Sequence, residues 1–127
     1  SNNIKVYTTD ICVPISKLVE CIKFAEKEIN NYGLRAPMVG HVGDGNFHAT
    51  IIYDPSNDEH YKMIRDYSNK LIDKALSVDG TITGEHGIGI QKKDYLLKQH
   101  PDNVPIMKSI KKTIDPNNIM NPGKIFD

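Results

Sequence analysis

Two histidines seven residues apart, His41 and His48, are the first side chains in the sequence that could bind a ligand together. They flank Asp44-Gly45, a dipeptide favoured in two-residue hairpin turns. If that turn forms, His41 pairs with His48 across the hairpin, and their Cβ atoms lie about 4.5–5.5 Å apart on one face of the sheet. Two converging imidazoles suit a divalent metal ion. Two strand histidines that only form hydrogen bonds are the alternative.

A carboxylate in a glycine-rich loop is the candidate third ligand. Glu85 lies in the stretch GEHGIG, whose glycines give the backbone unusual freedom. Two histidines and one carboxylate leave coordination positions open, which suits zinc as a Lewis acid or a non-haem ferrous ion. The alternative is a surface loop that carries an incidental acid.

The residue after this glutamate, His86, is the candidate catalytic base. A neutral imidazole can accept a proton at neutral pH, so it could take the proton of a substrate hydroxyl held at the metal. The alternative is a solvated loop histidine. The remaining histidines, His60 and His100, have polar surroundings at a helix start and in a turn, which predicts surface positions.

The elements that must position these residues follow from hydrophobic periodicity. Strands are predicted over residues 4–7, 38–42 and 47–53, and Ser16 is predicted to cap a first helix that ends near Gly33. A second helix follows residues 54–58 and ends at Asp79-Gly80, and a third covers residues 104–114. This order predicts an α+β fold, with an antiparallel sheet, a central β-hairpin and helices packed on it.

The composition excludes several classes of protein. A chain of 127 residues with 39% hydrophobic and 25% charged positions is typical of one globular domain. Lys plus Arg and Asp plus Glu both total 16, so no positive field favours a nucleic acid partner. The apolar runs are too short for a transmembrane segment. Cys12 and Cys21 form no CxxC pair and are predicted to be reduced thiols.

Three ordered motifs together resemble the carboxy-terminal portion of the FAD-linked oxidases of the vanillyl-alcohol oxidase type. They are GHVGDGNFHA at 40–49, GTITGEHGIGI at 80–90 and DPNNIMNPGKIFD at 115–127, and the segment TDICVPISKL at 9–18 matches as well. Within that superfamily the chain resembles the branch of D-lactate dehydrogenases, glycolate oxidases and D-2-hydroxyglutarate dehydrogenases. The nearest likeness is to the fungal cytochrome-linked D-lactate dehydrogenases.

The resemblance implies a role for each candidate residue. The two hairpin histidines and Glu85 would hold a divalent metal, usually zinc, that orients a D-2-hydroxy acid. His86 would contact the substrate and remove its hydroxyl proton while hydride passes from Cα to the flavin. Asn46 at the hairpin tip and Lys124 in the Asn-Pro-Gly-Lys motif would approach the cofactor or the substrate.

The resemblance also sets expectations for the whole protein. The flavin-binding region of the family precedes this segment, so residues 1–127 are expected to be the carboxy-terminal metal- and substrate-binding portion and to be inactive alone. Thr50 replaces an Asn of the relatives that act on 2-hydroxyglutarate, which favours D-lactate, oxidised to pyruvate. Electrons would pass to cytochrome c or another acceptor, in the mitochondrion. The alternative is a non-catalytic metal-binding or regulatory module derived from such an enzyme; a metal-dependent hydrolase lacks a fitting motif.

Overall fold

A computed structural model describes residues 4–126; residues 1–3 and Asp127, the last residue of the third motif, lie outside this range. The chain divides into two compact units, the first ending at Glu85 and the second beginning at His86. Within the described residues, the first unit combines an antiparallel sheet with two helices and the second contains two helices. The predicted α+β class is confirmed.

One long strand organises the sheet of the first unit. The strands are β1 (Lys5–Thr8), β2 (Ile11–Cys12), β3 (Met38–His41) and β4 (Asn46–Tyr53). All of the other three strands pair antiparallel with β4. The short strand β2 was not predicted, because two residues carry no readable alternation. Its backbone also pairs with Thr81, which attaches the start of the glycine-rich segment to the sheet.

The helices are α1 (Ile15–Asn31), α2 (Asp58–Leu76), α3 (Lys93–Gln99) and α4 (Val104–Ile114). The bounds of α4 are those predicted, whereas the seven-residue α3 was not predicted. The prediction that Ser16 caps α1 is wrong. Pro14 occupies the N-cap position without a side-chain cap, and its carbonyl oxygen accepts a hydrogen bond from the amide of Lys17 at 2.7 Å.

Both faces of β4 are buried where the strand leaves the hairpin. Phe47, Ala49 and Ile51 share one face, and each is at most 2% exposed. The apolar stripes of α1 and α2 complete this core with residues Leu18, Cys21, Ala25, Ile64, Tyr67 and Leu71. Asn46 and His48 lie on the opposite face and are each 6% exposed. The part of the second face of β4 that carries Asn46 and His48 is therefore a buried polar environment.

Both cysteines of the chain are free thiols, as the sequence predicts. Cys21 is fully buried in α1, and its burial raises the pKa of the thiol. Among residues 4–126, no helix has the combination of length and apolar character that crossing a bilayer requires.

The pairing of the central hairpin differs from the prediction. His41 pairs with Asn46, and the partner of His48 is Val39 rather than His41. The register is shifted by two residues, and a shift of two keeps every side chain on the same face of the sheet. The two histidines are therefore diagonal neighbours on one face instead of a direct pair. A direct pairing of the two histidines would place Val42 opposite Phe47 on the other face of the sheet, but Val42 is 66% exposed.

The longer connection explains the shifted register. A short 3₁₀ turn over Val42–Asp44 is followed by Gly45, which has φ +74°. The carbonyl oxygen of Gly45 accepts a hydrogen bond from the amide of Val13 at 2.9 Å. A Cβ atom at Gly45 would lie 2.0 Å from the carbonyl oxygen of Val13, so both the backbone conformation and the close approach require glycine here.

An ion pair between a buried carboxylate and a half-exposed lysine joins α1 to α2. Glu28 is 7% exposed, and one of its carboxylate oxygens accepts a hydrogen bond from Lys70 Nζ at 2.6 Å. The other oxygen accepts a hydrogen bond from Asn31 Nδ2 at 2.9 Å. The hydrogen bond from Lys70 is the main reason that the pKa of Glu28 is lowered.

This ion pair predicts an acid-sensitive contribution to stability. A glutamate in an unfolded chain titrates near pH ~4.3. Because the pKa of Glu28 is lowered in the folded protein, its contribution is complete above that pH and is lost as the pH falls through the folded value. We expect Glu28→Gln to lower the melting temperature at neutral pH, and the difference from the unsubstituted protein to shrink as the pH falls below ~4.3. A difference that is constant across this range in thermal unfolding experiments would contradict the prediction.

Candidate metal centre

The structure brings the three predicted metal ligands together in the first unit. His41 ends β3, His48 lies within β4, and Glu85 follows the segment that pairs with β2. One potential ligand atom from each residue lies within 4.8 Å of the others. Glu85 Oε1 is 3.0 Å from His48 Nε2 and 4.0 Å from His41 Nε2.

A backbone hydrogen bond orients the buried histidine. The Nδ1 atom of His48 lies 2.9 Å from the carbonyl oxygen of Thr9. A carbonyl oxygen can only accept, so Nδ1 carries the proton and donates. The lone pair of Nε2 then points away from Thr9, toward the carboxylate of Glu85. Hydrogen bonding of one ring nitrogen to a backbone carbonyl is the usual way in which a metal-binding histidine is oriented.

The ligand atoms of these residues suit a divalent cation. A lone pair on His48 Nε2 and a carboxylate oxygen of Glu85 are both acceptors, yet they lie 3.0 Å apart. They repel each other unless a proton or a metal ion is shared between them. Tetrahedral zinc with ligands at ~2.0–2.2 Å places neighbouring ligand atoms roughly 3.3 Å apart. The observed separations of 3.0 and 4.0 Å bracket that value.

The site has a buried side and an open side. The side chain of His48 is 7% exposed, whereas those of His41 and Glu85 are 64% and 52% exposed. In a metal site built from these residues, the buried histidine would be the fixed ligand, and the two exposed residues would lie on the side open to solvent. Two nitrogens and one carboxylate oxygen also leave coordination positions unfilled, as catalytic zinc sites do.

Sequence reasoning missed a buried carboxylate behind this site. Asp10 lies between β1 and β2 and is 3% exposed. Its carboxylate accepts hydrogen bonds from Asn46 Nδ2, Thr83 Oγ1 and the backbone amide of Glu85. The available signal was that Asp10 lies in the segment TDICVPISKL, which matches the family motifs.

Asn46 begins β4 and does not lie at the tip of the hairpin, where it was predicted. Its Nδ2 donates to Asp10 Oδ1 at 3.0 Å and to the carbonyl oxygen of Ile11 at 3.1 Å. Its Oδ1 is buried and has no hydrogen-bond partner among residues 4–126. A Cβ atom at Gly84 would lie 1.6 Å from Nδ2, so a glycine is needed beside this amide. Contact of Asn46 with a cofactor stays a prediction.

The other predicted site residues belong to the second unit. His86 is its first residue and is exposed. Lys124 is also exposed, and its backbone amide donates to the carbonyl oxygen of Asn121 at 3.2 Å. The next amide, that of Ile125, donates to the carbonyl oxygen of Gly89 at 2.7 Å and so connects the third motif to the glycine-rich segment. The roles of His86 and Lys124 stay predictions.

The fold agrees with a family comparison. The model for FAD linked oxidases, C-terminal domain, matches residues 1–125. The chain therefore belongs to this family, as its motifs predict.

The chain is also similar in sequence to several named relatives. It is 47% identical over 119 residues to the D-lactate dehydrogenase (cytochrome), mitochondrial, of Arabidopsis thaliana. It is 46% identical over 122 residues to the protein of the same name from Kluyveromyces lactis. It is 42% identical over 123 residues to the D-lactate dehydrogenase (cytochrome) 1, mitochondrial, of Saccharomyces cerevisiae. These alignments cover 93%, 95% and 96% of the chain but 21% of each relative, so the chain spans about a fifth of their length.

Proposed function

We propose that the chain is the metal- and substrate-binding part of a flavin-dependent dehydrogenase that oxidises D-lactate to pyruvate. The observation that carries the proposal is the approach of His48 Nε2 to Glu85 Oε1 at 3.0 Å, with His41 beside them. Family membership and the names of the relatives supply the reaction class. The exposed side of this ligand set is where a small 2-hydroxy acid would bind.

His41, His48 and Glu85 are the residues that would hold the divalent ion, which we propose is zinc. Such an ion would make the hydroxyl of a bound 2-hydroxy acid more acidic and hold its carboxylate. His48 would contribute the rigid ligand, because its ring is buried and hydrogen-bonded to Thr9. His41 and Glu85 would close the site from the exposed side.

We assign the proton transfer to His86, which follows Glu85 directly in the chain. The Cα atoms of consecutive residues are ~3.8 Å apart, so the backbone of His86 lies next to that of a proposed metal ligand. His86 would accept the hydroxyl proton as the Cα hydrogen leaves with its electron pair. FAD, when bound, accepts that hydride. Asn46 and Lys124 are proposed to contact the cofactor. The product of the reaction is the 2-oxo acid.

The acceptor and the location are proposed from the relatives. Three of them are named as cytochrome-linked and mitochondrial D-lactate dehydrogenases. We propose that electrons pass from the flavin to cytochrome c or a similar acceptor, and that the protein acts in the mitochondrion. The isolated 127-residue chain is proposed to be inactive, since flavin binding would depend mainly on other parts of the protein.

Reduction of the flavin by a panel of 2-hydroxy acids tests the proposal. The intact protein is mixed anaerobically with D-lactate, L-lactate, glycolate or D-2-hydroxyglutarate, and the flavin absorbance is followed. We expect D-lactate to reduce the flavin fastest and pyruvate to form in equal amount. A flavin- and metal-loaded protein that none of these acids reduces would contradict the proposal and would favour the regulatory alternative.

A further inference from the structure

Asp10 is the most deeply buried acid beside the candidate metal centre. Its side chain is 1% exposed, although it lies in the short connection between β1 and β2. A buried carboxylate is tolerated only when donors replace the lost water. The donors here come from β4 and from the segment that leads to Glu85, both distant in sequence.

The hydrogen bonds of Asp10 restrain the backbone that carries a metal ligand. Asp10 Oδ2 accepts from Thr83 Oγ1 at 2.7 Å, and both carboxylate oxygens lie 3.3 Å from the backbone nitrogen of Glu85. Asp10 Oδ1 accepts from Asn46 Nδ2 at 3.0 Å. The side chain of Glu85 is half-exposed, so neighbouring packing does little to fix it. The contact of its backbone amide with Asp10 restrains the position of this residue.

The same residue also lies behind the buried histidine. Asp10 Oδ1 is 3.7 Å from His48 Nδ1, and the carbonyl oxygen that binds Nδ1 belongs to the preceding residue, Thr9. A negative charge on this side of an imidazole makes the opposite nitrogen a better metal ligand. Asp10 therefore acts on two ligands at once, through the ring of His48 and through the amide of Glu85.

We infer that Asp10 is a positioning residue for the metal centre: it increases metal affinity without binding the metal. The inference rests on the proposed function, because it requires that His41, His48 and Glu85 bind a divalent ion. Removal of an outer partner of a metal ligand typically weakens metal binding by ~10–100-fold. We expect Asp10→Asn to weaken metal binding by a similar factor. The nitrogen of the new amide group would face one of the donors that now form hydrogen bonds with Asp10.

The test measures zinc affinity of the intact protein by competition with a chelator. Asp10→Asn is expected to raise the zinc dissociation constant by about 10–100-fold, with one zinc still bound at saturation. Thr83→Val removes only one donor to Asp10 and is expected to have a smaller effect in the same direction. It also keeps the inference testable if Asp10→Asn does not fold.

Glu28→Gln is the matched control, because Glu28 is a buried carboxylate that pairs with Lys70, not with the site. It should lower the melting temperature and leave zinc affinity unchanged. The inference is overturned if Asp10→Asn and Thr83→Val bind zinc as tightly as the unsubstituted protein while His48→Ala does not bind it. It is also overturned if Glu28→Gln weakens zinc binding equally. An unsubstituted protein that binds no zinc would overturn the proposed function as well.

Discussion

The His48→Ala protein is expected to lose its divalent ion and to oxidise D-lactate at least roughly 10²-fold more slowly. His48 is the buried member of the proposed ligand set, with one ring nitrogen hydrogen-bonded to Thr9 and the other 3.0 Å from Glu85 Oε1. An alanine at this position has no atom that can bind a metal ion. The loss of affinity should exceed the ~10–100-fold typical of an outer partner. Elemental analysis and steady-state kinetics of the intact protein measure both effects.

A histidine outside the site provides the control for this substitution. His60 lies in the first turn of α2, and His60→Ala should leave metal content and D-lactate oxidation unchanged. Glu85→Gln keeps the size of the side chain but removes its charge, so it should also weaken metal binding. A His48→Ala protein that retains one metal ion per chain, or that loses the metal with no change in rate, would show that the assignment is wrong.

The His86→Ala protein is expected to keep its metal and lose turnover. Removal of a general base typically costs about 10²–10⁴-fold in rate. The decrease should be in kcat, because His86 is proposed to act on the proton and not to hold the metal ion. Metal content equal to that of the unsubstituted protein separates this outcome from the loss of a ligand.

Chemical rescue provides a second test of the prediction for His86→Ala. Free imidazole added to His86→Ala should restore part of the rate, whereas it should not restore His48→Ala, which lacks metal. A kcat within about tenfold of the original would contradict a role for His86 as the base.

The sequence was sufficient to predict the fold class and to predict that the candidate ligands lie close together. The apolar periodicity of α4 gave its bounds, because its pattern is regular over three turns. The face shared by His41 and His48 was also predictable, since only the parity of the register decides it. The register itself was not predictable. It depends on the contact between Gly45 and Val13, which are distant in sequence and meet only in the folded chain.

Asp10 shows why the remainder of the site could not be read from the sequence. Its hydrogen-bond partners Asn46, Thr83 and Glu85 are separated from it by 36, 73 and 75 residues. A lone aspartate before a strand is normally expected to be solvated. Only the pairing of β2 with both β4 and Thr81 brings these donors around the carboxylate.

The alternation along β4 also links the chemistry of this protein to the accuracy of its folding. Phe47 lies on the core side and His48 on the opposite side, and a slip of one residue would exchange them. An imidazole would then be buried among aliphatic side chains, and the aromatic ring would face the carboxylate of Asp10. Both exchanges are unfavourable, so the misaligned strand is unstable. The folded chain therefore has the buried histidine on the polar face. The residues that make the shifted register unfavourable are the same residues that place this histidine in the candidate site.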